Sequence, residues 1–152
     1  MFKISKLIDA NICEFKIGIY PVEIHSFSKG CKKVNIANLA EFMIKASNDL
    51  NEYLLSFRFS KPLEDLYNIE LNTSVDINNY IDEVDSFLEV NDSFECDVVI
   101  TGKIYRIINS NIIIKGLFMS DNNDIYEEDY SGKFEIEFNL NEYMNKNEKS
   151  DI

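Results

Sequence analysis

Tryptophan is absent from the chain, histidine occurs once, and only two prolines and five glycines punctuate its 152 residues. Each scarcity closes off a class of chemistry. A single histidine, His25, cannot build a multi-histidine metal site, and a nucleophile paired with it, Cys31 or a serine, would need a tertiary coincidence. The cysteines Cys13, Cys31 and Cys96 are odd in number, with no C-x-x-C pair and no metal-ligand spacing, which argues against a disulfide framework and a thiolate zinc site alike. Reduced cysteines favour a cytoplasmic location. No nucleotide loop, G-x-S-x-G or H-E-x-x-H occurs. No stretch approaches the ~18 apolar residues of a membrane span, and Lys3, Lys6, Asp9 and Glu14 break any signal-like apolar core at the start. The expectation is a protein with no cofactor, no metal and no catalytic residue.

What is present is ordinary globular material, 45% hydrophobic and 28% charged, in a length that buries about 68–70% of the unfolded surface in one domain. Residues 1–144 read as that domain, and 145–152 as a frayed polar tail. The net charge of −12 is uneven. Residues 1–60 carry eight bases and six acids (+2), residues 61–100 one base and eleven acids (−10), and residues 101–152 six bases and ten acids (−4). Such a field repels nucleic acid and anionic membranes and attracts basic partners.

Periodicity gives the elements. Phe94, Cys96, Val98, Ile100, Gly102 and Ile104 alternate with mostly polar residues, and Ile112, Ile114, Gly116 and Phe118 resume in phase. This is the period of two that a half-buried strand requires. A three-residue loop at Asn109–Asn111 would pair Ile108 with Ile112 and Gly102 with Phe118, laying a ring over a position without a side chain. Arg106 is the misfit on the apolar face and is expected at the open tip. Phe134, Ile136, Phe138 and Leu140 add a third strand to an antiparallel meander. Cys13, Phe15, Ile17 and Ile19 form an earlier strand that bends or reaches an edge at Pro21, followed by a basic turn of Lys29, Lys32 and Lys33 around Gly30. Cys13 and Cys96 are both expected on apolar faces.

Two stretches follow helical spacing. Ile36, Leu39, Ala40, Met43, Ala46, Leu50, Tyr53 and Leu54 make one apolar stripe, and Ile77, Tyr80, Ile81, Val84, Phe87 and Leu88 another. Between them Leu55, Phe57 and Phe59 read as a short strand, and Pro62–Asn68 as a turn. The predicted fold class is therefore α+β, a mostly antiparallel sheet with two amphipathic helices packed on one face.

The second helix would carry the candidate site. At 100° per residue Asn78, Asp82, Asp85 and Glu89 fall within roughly 60° of one another, with Glu83 beside them, and no base occurs between Lys61 and Lys103. Like charges at this spacing cost about 0.2–0.5 kcal/mol per pair, so the row suggests a surface kept for a basic protein. Tyr105, opposite in face to Ile104, is the best aromatic anchor. Asp121–Asp129 lacks the ligand spacing of an EF-hand, since Ile125 stands where a ligand is needed. The expected function is a non-catalytic acidic protein that blocks a basic surface: a toxin-neutralising immunity protein or a nucleic-acid-mimicking inhibitor of a nuclease or defence complex. The alternatives are a small-molecule or acyl-binding domain of hot-dog type, which predicts a closed polar pocket, and a homo-oligomeric or chaperone-like subunit pairing through exposed sheet.

Overall fold

The computed structural model describes residues 2–4, 8–120 and 130–144, with the backbone alone described at 2–4, 8–11 and 82–85. Among the described residues nine strands run β1 (Phe2–Ile4), β2 (Ile8–Ser28), β3 (Cys31–Ser47), β4 (Glu52–Phe59), β5 (Thr73–Asp76), β6 (Ile81–Val90), β7 (Phe94–Ile107), β8 (Asn111–Ser120) and β9 (Ser131–Asn139). Every pairing is antiparallel. The pairings β2–β3–β4–β6–β7–β8–β9–β1–β2 return on themselves, so eight strands close a ring. On one edge β7 pairs with β6 through residues 94–97 and with β5 through residues 103–106. Its other edge is taken by β8.

An eight-stranded ring is just wide enough for side chains to fill, and here aromatic rings fill it. Phe42 on β3 lies 4.9 Å from Phe57, 4.7 Å from Phe59 and 5.8 Å from Phe138 on β9, so opposite walls meet through ring contacts. Phe57 continues to Phe134 at 5.6 Å. The 3₁₀ segments at Leu63–Asn68 (two turns) and Ile77–Asn79 (one turn) insert Leu63, Leu66 and Ile77 into the same core. Residues 140–144 form one α-helical turn, with Leu140 fully buried and Tyr143 edge-on to Phe138.

The α+β expectation is overturned, because neither amphipathic helix forms. The first stretch is β3, a turn and β4. Along β3, Ala40, Phe42, Ile44 and Ala46 are buried with a period of two, while buried Ala37 and half-buried Leu39 and Met43 on the other face create the spurious spacing of three and four. The second stretch is a 3₁₀ turn followed by β6. Between Ser56↔Phe87 and Arg58↔Asp82 the register gains extra residues on β6. This irregularity shifts the alternation between buried Ile81 and the buried set Ser86, Leu88 and Val90, while Ile77 enters the core from the 3₁₀ turn, and together these offsets imitate helical spacing.

The meander is present as β7–β8–β9, with its hairpin register two residues from the expected one. Ile107 pairs with Asn111 and Gly102 with Gly116, around a three-residue loop at Ile108–Ser110. The ring over a missing side chain is that of Phe134, lying on Gly116. Arg106 is not at an open tip. Its Nη1 donates to the carbonyls of Tyr67 (2.6 Å) and Ile69 (3.0 Å), and the guanidinium sits 5.8 Å from the Tyr67 ring. Arg106 thus ties the 63–73 segment to the barrel. Cys96 is buried as expected. Cys13 is exposed instead, on a bulge between Ile12 and Glu14, with its Sγ 2.9 Å from Ser47 Oγ.

Candidate functional site

The expected acidic row loses the frame that aligned it. Asn78 is exposed in the 3₁₀ turn, whereas the backbone of Asp82, Glu83, Asp85 and Glu89 runs along β6 and not along a helix. The Cα partner of Asp82 is Arg58, and Glu89 stands between Leu54 on β4 and Glu95 on β7. The helical face that would align them is absent, and Glu89 joins a larger charged surface at one end of the barrel. Tyr105 faces outward beside a surface groove of about 650 Å³ on β7–β8–β9, with Lys115 Nζ 5.4 Å from its ring centre. Two of the three lysines lining it are paired with acids: Lys103 reaches Asp76 at 3.5 Å and Lys115 reaches Glu135 at 3.7 Å. Asp121–Asp129, Tyr126 among them, and the tail 145–152 lie outside the described residues.

What sequence reasoning missed is the length of the β2–β3 hairpin. The two strands pair continuously out to Ser28↔Cys31. However, β4 accompanies β3 only along Glu41–Ser47, and β1 accompanies β2 only along Ile8–Ala10. Residues 21–38 therefore leave the barrel as a two-stranded arm, roughly 25 Å long at about 3.4 Å per residue. Lys29 (φ 53°) and Gly30 (φ 77°) close its tip, the positive φ pair of a tight hairpin turn. Every residue from Glu23 to Ile36 is exposed.

The two faces of the arm differ. Phe15, Ile17 and Ile19 with Ala40, Phe42 and Ile44 face the core, and alternation carries that same face outward through Glu23, His25 and Phe27 on β2 and Ile36, Val34 and Lys32 on β3. Along this outer stretch Ile36 is 69%, Val34 49% and Phe27 78% exposed. The core-facing surface thus runs on into solvent with an apolar row that nothing among the described residues covers. His25 Nε2 lies 3.3 Å from Glu23 Oε2, as their shared face implied. At the root, the Lys16 ammonium, 2.8 Å away, holds the Glu14 carboxyl below the usual range, assisted by Lys45 at 3.6 Å. The arm carries Lys29, Lys32 and Lys33 against Glu23, so +3 − 1 = +2, which leaves −12 − 2 = −14 on the rest of the chain.

The opposite end of the barrel holds acid. The turn after β3 and the turn after β6 are locked together: Asn91 N donates to Glu52 O (2.8 Å), Glu52 N to Asn91 Oδ1 (2.8 Å), and Asn91 Nδ2 to Asn51 Oδ1 (2.7 Å). Around them stand Glu52, Glu89, Asp92, Glu95 and Asp97, and no ion pair reaches these five among the described residues. Glu89 and Glu95 are directly opposed across strands, an arrangement that costs stability. Next to Glu95 and Asp97 along β7, the outer face turns apolar. Val99 (45% exposed) opposes Met119 (65% exposed), with exposed Leu117 one step along.

Among the described residues no group of three or more His, Cys, Asp or Glu side chains could hold a metal ion, and no helix is long and apolar enough to cross a membrane. No protein-family model matches the chain, and no curated protein or solved structure matches it either.

Proposed function

We propose that this chain is a non-catalytic protein-binding module that uses the projecting arm and the acidic, apolar end of the barrel as its docking elements. The uncovered apolar row Phe27, Val34 and Ile36 carries the reading. Each such side chain gains about 1.5–3 kcal/mol on full burial, and an isolated two-stranded ribbon is marginal in water, so the arm is built to be covered. The partner suited to the acidic end presents apolar and basic groups together, which keeps the expectation of a basic protein surface while moving it off a helix. The immunity and nucleic-acid-mimic versions depended on evenly spaced acids along one helical face, and without that helix they have no geometric support. The acyl-binding alternative called for a closed pocket, whereas aromatic rings fill the barrel interior.

The test is retention of protein from extracts of the producing cell on the immobilised chain, beside the double variant Phe27→Ser, Ile36→Ser. The expected result is at least one protein held by the intact chain and lost by the variant. Identical retention by both would refute the role of the arm.

A further inference from the structure

We infer that the arm of one copy docks on the acidic end of a second copy, so that the chain assembles head to tail; this rests on the protein-binding reading above and names its partner. Two surfaces on the same molecule complement each other. The arm presents Phe27, Val34 and Ile36 with Lys32 on one face and Lys29 and Lys33 at the tip, net +2. The outer face of β7–β8 presents Val99, Leu117 and Met119 beside Glu95 and Asp97, on a body of net −14. The arm's apolar row ends in lysines towards the tip, with Glu23 opposite Ile36 at its root. The receiving patch borders Glu95 and Asp97 at one end and Lys133, opposite Leu117, at the other. Opposite charges therefore meet where the arm tip lies over Glu95 and Asp97.

Their placement decides the symmetry. The arm departs where β3 carries Asn38, and the acidic end begins where β3 reaches Ser47 and its partner Glu52. These points lie about nine residues apart, about 30 Å along one strand. Two patches at opposite ends of one body are satisfied head to tail, in a heterologous contact that continues into a ring or an open row. A nucleic acid is the weaker occupant: its phosphates gain nothing from the apolar row, and the acidic body repels them. A ribbon this size buries less than about 1,200 Å² in total, the range of reversible contacts, so association belongs at micromolar concentrations and above.

The experiment is light scattering on the purified intact chain at low and high salt, with two surface variants. In one the arm is altered (Phe27→Ser, Ile36→Ser), and in the other the receiving face (Val99→Lys, Met119→Lys). The intact chain is expected to exceed 17.7 kDa at low salt and to shrink as salt screens the contact. Each variant alone is expected to remain a folded monomer, with the melting transition of the intact chain. Mixed in equal amounts, the two variants are expected to form a heterodimer, because one keeps a competent arm and the other a competent face. An intact chain that stays monomeric at about 1 mM and low salt overturns the inference, as does a mixture that gives no heterodimer. An arm-dependent partner retained from extract by a monomeric chain would then leave the protein-binding reading standing and remove only the second copy as its partner.

Discussion

The ring of Phe134 occupies the volume that a side chain at Gly116 would need: an added Cβ would stand 2.2 Å from it. Gly116→Ala is therefore expected to destabilise the fold by about 1–3 kcal/mol, and Phe134→Leu in the same chain to recover part of that loss. Denaturant titration of the single and double variants measures the coupling, and strictly additive losses would contradict the contact. Gly102 admits no such rescue. Its φ of +142° and a Cβ position 2.2 Å from the Lys115 carbonyl oxygen set backbone against side chain. Arg106 is the other residue on which the fold leans. Two hydrogen bonds from its guanidinium to Tyr67 and Ile69 carbonyls contribute about 1.5–3 kcal/mol each when the donor is charged. Arg106→Leu is expected to lower stability by about 2–4 kcal/mol, and a loss under about 0.5 kcal/mol would show that the 63–73 segment is held by other means. Ser86 runs the opposite way: its hydroxyl is buried without a partner among the described residues, so Ser86→Ala is expected to be neutral or stabilising in the same titration.

Strands whose outer face is polar were legible at the level of elements, and those with two apolar faces were not. In β9, Phe134, Ile136 and Phe138 alternate with Lys133, Glu135 and Glu137, and the strand is plain in the sequence. In β3, Leu39 and Met43 are half-buried on the face opposite Phe42 and Ile44, so apolar residues recur at helical spacing too. β6 adds a register irregularity, a tertiary feature with no local signature. The candidate site fared accordingly. The charge imbalance was readable from composition, but its placement on the molecule was not. The basic turn at Gly30 was also seen, yet its distance from the barrel depends on where β4 stops pairing with β3. An arm that leaves the barrel so completely should be separable from it. Joining Val22 to Ala37, which already oppose each other, through an Asn-Gly turn removes residues 23–36. The shortened chain is expected to unfold cooperatively near the midpoint of the intact one; failure to fold would mean that the arm contributes to the core.

As a whole, the molecule is a filled barrel with a basic, apolar arm at one end and an acidic, apolar face at the other. Among the described residues aromatic rings fill its interior, and the proposed function lies on those two surfaces. Hydrogen exchange of the arm amides against protein concentration tests this most directly. An uncovered two-stranded ribbon opens at little cost, whereas a docked one is protected. Protection across residues 22–38 is expected to rise with concentration and fall with salt, while the core strand β4 exchanges unchanged. Arm amides that exchange at one rate at every concentration and ionic strength would contradict it.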